Sequence, residues 1–314
     1  MSTIMQAINI CFICDSGYVK PTAVAMESLK VNRSRDAIYK IFVVETNLSD
    51  KDKELLTSLS RKNFLVEIIH FVVPEVLKNV NKSRYVPISA MTKFYLPKIF
   101  KDLDKILYMD GDVLVQSDLV DLYKSDISSV YAGVVKDIRN VYDNGQLLKK
   151  LQIQPGGYFN SGMMLLNLKR CRRDNITEQL IEYRLNRFNH HMDQDALNGV
   201  MNGRVKFFDV KYNLLPPFFK ILSAAQIMEL YNTKQYRNIN DNYKHAAILH
   251  LGGSAKPWNE YQPYLTALYN KYAKQINWNT NVNFWTYCRK KIIGSSKVYY
   301  LFGFIPLLSI QECK

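Results

Sequence analysis

A regular alternation of strand-like and helix-like segments is the sequence feature that most constrains the fold. Apolar runs at residues 8–14, 38–46 and 64–72 are rich in the β-branched and aromatic residues typical of strands. Residues 21–32 and 49–63 lie between them and carry apolar residues at helical spacing. Strands that alternate with helices form a mainly parallel sheet, so we predict an α/β fold with a mostly parallel central sheet flanked by helices. Further strands are predicted at 105–109, 131–137 and 162–168, and further helices at 89–100 and 174–190.

Two aspartates interrupt an apolar run in "KILYMDGDVLV". Successive side chains of an extended strand alternate between faces, so Asp110 and Asp112 are expected to point the same way, with Gly111 giving backbone room between them. Ligands of open α/β sheets bind beyond the carboxyl ends of the strands. A Mg²⁺ or Mn²⁺ ion that bridged both carboxylates and a diphosphate would balance the charges. The same letters are also typical of a surface turn that joins two strands of a hairpin.

A second polar segment, "HLGGSAKPW", follows the strand-like run "HAAIL". His250 at the end of that run is suited to complete a metal site with the two aspartates. Gly252 and Gly253 allow the backbone to approach a phosphate closely, and Lys256 can neutralise it. A structural histidine and a glycine turn are the alternative interpretation.

Two more segments place polar residues beside apolar ones. In "YFNSGMMLLNL", Asn160 and Ser161 precede an apolar strand and form a polar rim on a core element. In "HMDQDALNG", Asp193, Gln194 and Asp195 lie at or near a helix start. Acidic residues at that position also serve as N-terminal caps, which need no catalytic function.

Together these segments resemble the retaining glycosyltransferases of GT-A type, family 8, a group that includes bacterial lipopolysaccharide galactosyl- and glucosyltransferases and glycogenin. The resemblance runs from about residue 8 to about residue 260, and it implies a GT-A (Rossmann-like) fold. It rests on five motifs in a consistent order: "CDSGY", "LYMDGDVLV", "FNSGMMLLNL", "HMDQDALNG" and "HLGGSAKPW".

The resemblance implies a binding site for a UDP-sugar. Asp15 and Tyr18 match positions that hold uracil and ribose, whereas Gly17 stands where relatives often have asparagine. Lys93 stands where relatives commonly place arginine, so a cation that faces the donor is retained without a bidentate fork.

The resemblance also implies a metal site with Asp110, Asp112 and His250 as ligands, which Mn²⁺ or Mg²⁺ would occupy, and Gly111 lies within it. The remaining implied donor contacts are Asp137 and Asn160 with sugar hydroxyls, Asp193 and Gln194 beneath the sugar, and Gly253 and Lys256 with the diphosphate.

The implied reaction is a metal-dependent, retaining transfer of glucose or galactose from a UDP-hexose to a hydroxyl group of a glycan. An α-linkage to a lipopolysaccharide core or another cell-envelope glycan is expected, with an oligosaccharide or glycolipid as acceptor. The catalytic residues are expected to be Lys93, Asp193, Gln194 and Lys256. An amide is a poor nucleophile, so Gln194 favours attack by the acceptor on the face that UDP leaves. A UDP-sugar hydrolase, a nucleotidyltransferase and a non-catalytic UDP-sugar or glycan binding module are the alternatives.

Charge and composition separate the end of the chain from the rest. The net charge of +14 implies an anionic partner, but no nucleic-acid motif is present and nucleic acid is not an expected partner. We predict a GT-A catalytic domain over 1–265 and a basic, aromatic segment over 266–314 that associates with an anionic membrane surface. A C-terminal element packed on the catalytic domain is the alternative. Five cysteines without disulfide-scaffold spacing, and a start without a signal pattern, predict a cytoplasmic protein on the cytoplasmic face of the membrane.

Overall fold

The computed structural model divides the chain into two compact units, residues 1–250 and residues 251–314. It describes residues 6–80, 88–142, 145–187, 191–219, 221–232, 243–280, 282, 289–293, 296–301 and 305–311. The predicted division into a catalytic domain and a membrane-associating segment concerns the roles of the two parts and stays a prediction.

A seven-stranded sheet forms the centre of the first unit, in the order β3-β2-β1-β4-β7-β6-β8. Its strands are β1 Gln6–Cys14, β2 Ala37–Glu45, β3 Phe64–His70, β4 Lys105–Met109, β6 Ala132–Lys136, β7 Phe159–Asn167 and β8 Val205–Phe207. Strands β1 to β4 are mutually parallel, and β8 is parallel to β6, whereas β7 is antiparallel to both of its neighbours. The predicted α/β fold with a mostly parallel sheet is therefore confirmed.

A separate antiparallel pair consists of β5 Val113–Val115 and β9 Ile248–His250. Strand β5 follows β4 after only three residues, but it leaves the central sheet. The pair matters for the site because it brings the end of the first unit next to the segment that follows β4.

Helices cover the sheet. In the first unit they are α1 Val19–Asn32, α2 Asp50–Thr57, α3 Glu75–Val80, α4 Leu96–Ile99, α5 Val120–Lys124, α6 Arg139–Tyr142, α7 Gln146–Leu151, α8 Leu168–Arg173, α9 Ile176–Asn186, α10 Met192–Val200, α11 Pro216–Phe219 and α12 Ala224–Tyr231, with 3₁₀ turns at Ile88–Tyr95 and Val210–Tyr212. The segment 89–100, predicted as one helix, is a 3₁₀ turn followed by α4. Pro97 lies in the first turn of α4, where its missing N–H costs no hydrogen bond. The helix predicted over 174–190 is the shorter α9, and residues 188–190 lie outside the described residues.

The core explains how the polar segments come to share one edge of the sheet. Apolar side chains of the central strands pack against the helices, and β7 is buried along nearly its whole length. Because β1 and β4 are parallel, both run toward the same edge, where Phe12 pairs with Met109. Strand β7 runs the opposite way and therefore begins at that edge, and the Asp110 N–H donates to the Gly162 carbonyl at 2.8 Å.

The second unit contains helix α13 Pro263–Ala273, a 3₁₀ turn at Lys274–Ile276 and a three-stranded antiparallel sheet. The strands are β10 Arg289–Ile293, β11 Ser296–Leu301 and β12 Ile305–Gln311, in that order. Trp258 and Trp278 pack against the Tyr269 ring on α13, with ring centroids 4.9 and 5.8 Å away. Among the helices described in either unit, none is both long and apolar enough to cross a bilayer.

Candidate active site

The two aspartates of the "MDGD" segment lie in a turn at the edge of the central sheet. Strand β4 ends at Met109 and β5 begins at Val113, so Asp110 and Asp112 do not belong to one continuous strand, as the sequence had suggested. The hairpin interpretation is also wrong, because β4 pairs with β1 and β7 whereas β5 pairs with β9. The chain turns here from one sheet into another.

The β5–β9 pair brings His250 to the two aspartates, since Val113 pairs directly with His250. The His250 Nε2 atom lies 3.7 Å from the Asp110 Oδ2 atom and 3.5 Å from the Asp112 Oδ1 atom. One ligand atom from each of the three residues lies within 4.8 Å of the others, and His250 and Asp112 are buried. The structure thus brings together the three residues that the sequence predicted as metal ligands.

The donor atoms of this cluster fit a divalent cation. His250 Nδ1 lies 3.0 Å from the Asn213 Oδ1 atom, and a neutral ring with its hydrogen on Nδ1 would direct the Nε2 lone pair to the carboxylates. Two carboxylate oxygens and one neutral imidazole nitrogen form a ligand set suited to Mn²⁺ or Mg²⁺. Asn213 was not predicted as a site residue, and the sequence signal for it is weak because no motif surrounds it.

Lys93 links the metal-ligand cluster to helix α10. Its ammonium group lies 3.2 Å from the Asp110 Oδ1 atom and donates to the Asp193 Oδ2 atom at 2.8 Å. Burial lowers the pKa of Lys93, but the carboxylates of Asp110 and Asp193 outweigh it and raise the pKa above its ordinary value. The predicted cation is therefore present as a buried, charged group. Tyr108 lies beneath it and donates its hydroxyl hydrogen to the Asp110 Oδ1 atom.

A polar network next to the cluster joins the residues predicted to contact the donor sugar. Asn160 donates to the Asp137 Oδ2 atom and to the Gln194 Oε1 atom, both at 3.1 Å. The Gln194 Oε1 atom also accepts from the Ser161 N–H at 3.1 Å. These groups open onto a cavity of about 320 Å³. Its complete lining is Lys93, Asp110, Asp137, Arg139, Asn160, Ser161, Gly162, His191, Met192, Asp193 and Gln194. The sequence did not single out Arg139.

The capping interpretation of the acidic residues on α10 fails for Asp193. His191 occupies the N-cap position without a side-chain cap, and the Asp193 carboxylate instead accepts from Lys93 and Ser161. Asp195 does contact the helix start, because its Oδ2 atom accepts from the His191 N–H at 2.8 Å. Its Oδ1 atom accepts from the Tyr158 hydroxyl, and Asp195 is fully buried.

The residues predicted for uracil and ribose follow β1. The Asp15 carboxylate accepts from the Gly17 N–H at 3.0 Å and from the Ser89 hydroxyl at 2.7 Å. Asp15 and Ser89 line a cavity of about 480 Å³ beyond the ends of β2 and β3. Tyr18 packs beside Gly111, where an added Cβ would lie 3.4 Å from the Tyr18 ring. Burial, and next the carboxylates of Asp112 and Asp110, raise the pKa of the Tyr18 hydroxyl.

The two residues predicted at the diphosphate, Gly253 and Lys256, belong to the second unit. Gly253 has φ = +87°, a left-handed conformation that glycine adopts without strain. Lys256 is buried and donates to the Leu251 carbonyl at 2.6 Å. Their contact with a diphosphate stays a prediction.

The mostly parallel sheet, with polar residues gathered at one edge, is the GT-A fold that the sequence motifs implied. The sequence model of glycosyl transferase family 8 matches residues 9–262, and the chain belongs to that family. The resemblance stated from the sequence motifs is therefore confirmed.

The individual relatives and solved structures that match the chain have low sequence identity to it. A putative glycosyltransferase of Haemophilus influenzae is 28% identical over 67% of this chain, and the match spans 64% of that relative's own length. A lipopolysaccharide 1,2-glucosyltransferase of Escherichia coli is 26% identical over 84% of this chain and 77% of the relative. Among solved structures, the galactosyltransferase LgtC in complex with donor and acceptor sugar analogs matches with a TM-score of 0.70 and 24% identity, over 88% of this chain and 98% of LgtC. The last likeness is one of fold.

Proposed function

We propose that this protein transfers a hexose, glucose or galactose, from a UDP-hexose to a hydroxyl group of a glycan acceptor, with retention of configuration and an α-linkage. The observation that carries the proposal is the cluster of Asp110, Asp112 and His250 beside a polar cavity. The names of the relatives support a hexose donor and an acceptor that belongs to a lipopolysaccharide core or another cell-envelope glycan. The acceptor is an oligosaccharide or a glycolipid.

Asp110, Asp112 and His250 would hold a divalent cation, Mn²⁺ or Mg²⁺, which supplies Lewis-acid stabilisation of the diphosphate leaving group. Lys93 adds a fixed positive charge to the same wall of the cavity. Lys256 and Gly253 contact the diphosphate in this proposal, and Asp15 and Tyr18 contact the uridine. Preorganised charges of this kind act where negative charge develops as the bond to the sugar breaks.

Asp137, Asn160 and Gln194 orient the sugar, because their polar atoms line the cavity and are already held by one another. As the anomeric carbon becomes cationic, the amide oxygen of Gln194 and the carboxylate of Asp193 stabilise the positive charge from below. Both side chains are anchored by hydrogen bonds, so little reorganisation is needed when the charge appears.

Among the described residues, the three side chains proposed to lie beneath the sugar or next to that position, Asp193, Gln194 and Asp195, are poorly suited to form a covalent sugar intermediate. Gln194 is an amide whose oxygen already accepts two hydrogen bonds. Asp195 is fully buried behind Tyr158, and the Asp193 carboxylate is paired with Lys93. We therefore propose front-face attack. The acceptor oxygen bonds to the anomeric carbon as the bond to the β-phosphate breaks, and the hydroxyl proton passes to a phosphate oxygen of the departing UDP.

The remaining part of the proposal concerns location. We propose that the first unit is catalytic and that residues 266–314, basic and aromatic in composition, hold the protein at the anionic cytoplasmic face of a membrane. Such a position would suit a lipid-linked acceptor.

The test is a screen of UDP-glucose, UDP-galactose and other UDP-sugars with the purified protein and Mn²⁺, with and without lipooligosaccharide acceptors. We expect slow release of UDP from one donor without acceptor, and faster release with transfer to glycan when the correct acceptor is present. His250→Ala is expected to lower both rates at least about 100-fold, as is removal of the metal with a chelator. His245→Ala is the matched control, because His245 is exposed outside the cavity, and we expect it to leave both rates unchanged.

Each other outcome contradicts the proposal in a different way. Free hexose as the only product with every acceptor would identify a hydrolase, and release of UMP or pyrophosphate would identify a nucleotidyltransferase. Failure to bind Mn²⁺ and UDP in calorimetry would contradict the metal and donor site and would favour a non-catalytic glycan binding module. A sugar covalently trapped on Asp193 or Asp195 would overturn the front-face mechanism alone.

A further inference from the structure

Asn213 occupies a position that joins the metal-ligand cluster to the sugar network. It is fully buried, with its Oδ1 atom 3.0 Å from His250 Nδ1 and its Nδ2 group donating to the Asn160 Oδ1 atom at 2.9 Å. The neighbouring Leu214 bonds to one edge of β9, since its N–H donates to the Ile248 carbonyl and its carbonyl accepts from the His250 N–H.

The orientation of these amides follows from a single carboxylate. An ionised carboxylate accepts hydrogen bonds and donates none, so the atom of Asn160 that faces Asp137 must be the NH₂ group. The Asn160 carbonyl oxygen then points the other way, and the Gly162 N–H confirms this by donating to it at 3.0 Å. Asn213 must therefore present its own NH₂ group to Asn160 and its oxygen to His250.

The orientation of the Asn213 amide determines which nitrogen of the His250 ring carries the hydrogen. Because His250 Nδ1 faces an oxygen, it must carry the hydrogen of the neutral ring, and Nε2 is left with a free lone pair toward Asp110 and Asp112. The position of the ring is also restricted. A Cβ atom at Gly162 would lie 2.1 Å from His250 Cε1, so the ring fills the space that this glycine leaves open.

We propose that Asn213 is a positioning residue that relays the hydrogen-bond orientation set by Asp137 to the metal-facing nitrogen of His250. The inference rests on the proposed metal site and goes beyond it. The residues that orient the donor sugar also set the tautomer of a metal ligand, so binding of the sugar and binding of the metal are coupled through Asn213.

The first experiment measures the tautomer directly. In long-range ¹H–¹⁵N correlation spectra of the metal-free protein labelled on histidine, we expect His250 to be protonated on Nδ1, with its signal assigned by its loss in His250→Ala. Asn213→Ala is expected to produce a mixture of tautomers. Asn213→Asp retains an acceptor for the Nδ1 hydrogen and is expected to retain the native tautomer. A ring protonated on Nε2 and not on Nδ1 in the unsubstituted protein would overturn the inference, whatever the enzyme's activity.

The second experiment measures Mn²⁺ affinity by electron paramagnetic resonance, with Mn²⁺ alone and with UDP. Asn213→Ala is expected to weaken Mn²⁺ binding about 10- to 100-fold, the usual effect of losing a residue that orients a metal-bound histidine. Asn213→Asp is expected to stay within about threefold of the native Mn²⁺ affinity. It should nevertheless weaken UDP-hexose binding relative to UDP, since its carboxylate faces the Asn160 oxygen and disturbs the sugar network.

Asn198→Ala is the matched control, because Asn198 is an equally buried asparagine that bonds to the Phe159 backbone and does not contact His250. It should lower stability and leave Mn²⁺ affinity unchanged. Equal Mn²⁺ affinity in the native protein and Asn213→Ala would overturn the inference, as would an equal loss in Asn213→Asp and Asn213→Ala. Absence of Mn²⁺ binding in the native protein would instead contradict the proposed function, and the tautomer experiment would still decide the role of Asn213.

Discussion

At the scale of single residues, Lys93 shows how strongly one buried charge organises this site. Its ammonium group contacts carboxylates from two parts of the chain, Asp110 after β4 and Asp193 on α10, and it is only 6% exposed. A buried charge is tolerated only when it is paired. The Lys93 ammonium group therefore needs the two carboxylates, and the two carboxylates need the ammonium group. The sequence motif identified a cation at this position, but its role in joining two acidic residues is visible only in the structure.

Lys93→Met should therefore destabilise the protein strongly. The substitution leaves two carboxylates partly buried without their shared cation, which typically costs about 3 kcal/mol in the free energy of unfolding. Urea unfolding monitored by circular dichroism measures this change in the free energy of unfolding. The matched control is Lys78→Met, because Lys78 forms an exposed pair with Glu75 that should contribute less than about 1 kcal/mol. Equal losses in the two variants would show that Lys93 does not stabilise the site.

At the scale of elements, the ends of the strands are fixed by polar contacts rather than by the sheet alone. Glu45 ends β2 and is almost fully buried, yet its carboxylate binds Lys53 on α2, His70 at the end of β3 and the Leu48 N–H. One side chain thus ties two strands and a helix together at the edge where the cavities lie. The sequence shows a glutamate at the end of a strand-like run and gives no indication of these partners.

Glu45 predicts a pH dependence of stability. Burial raises the pKa of this carboxyl, but the hydrogen bonds from Leu48, His70 and Lys53 outweigh it and lower the pKa below its ordinary value. A depressed pKa in the folded state gives stability that is present above the unfolded pKa and is lost as the pH falls through the folded pKa. Glu45→Gln should therefore cost about 2 kcal/mol at pH 7 and less at acidic pH, in unfolding experiments across pH.

Glu54→Gln is the control for that measurement, because Glu54 is exposed on α2, and the expected change is within about 0.5 kcal/mol at every pH. If the difference between Glu45→Gln and the native protein were the same at pH 7 and at acidic pH, the proposed ionic contribution of Glu45 would be wrong.

At the scale of the whole molecule, the charge distribution suggests where the protein works. The chain carries a net charge of +14, and its last fifty or so residues combine lysine and arginine with tyrosine, phenylalanine and tryptophan. The described part of that region forms most of helix α13, a 3₁₀ turn and the strands β10 to β12. Basic and aromatic residues in this composition are typical of segments that bind anionic membrane surfaces.

The full chain should therefore float with vesicles that contain about one-third anionic lipid, and should remain unbound with neutral vesicles or at high salt. Replacing Lys290 and Lys291 with glutamate should reduce the bound fraction several-fold. The same change in charge made at Lys51 and Lys62, which are exposed in the first unit, is the control and should have a smaller effect. Equal effects would mean that overall charge drives binding, and no effect of either pair would remove the C-terminal segment from the proposal.

Much of the architecture could be predicted from the sequence because its signals are local. Strands β1, β2 and β3 appear as apolar runs, and α1 and α2 as helical spacing, since backbone preference and burial leave a periodic pattern in neighbouring residues. The 3₁₀ turn at Ile88–Tyr95 shows the limit, because apolar spacing alone does not distinguish it from an α-helix.

The sequence by itself determined the strand–helix alternation, the family motifs and the types of residue available for chemistry. Only the tertiary structure decided that β5 leaves the central sheet to pair with β9, which brings His250 to Asp110 and Asp112. It also decided that Asn213 stands behind His250 and that Lys93 joins two acidic residues. The physical reason is that these contacts join residues far apart in the chain. Strand pairing and the need to satisfy buried polar groups select them, and neither leaves a periodic signal in the sequence.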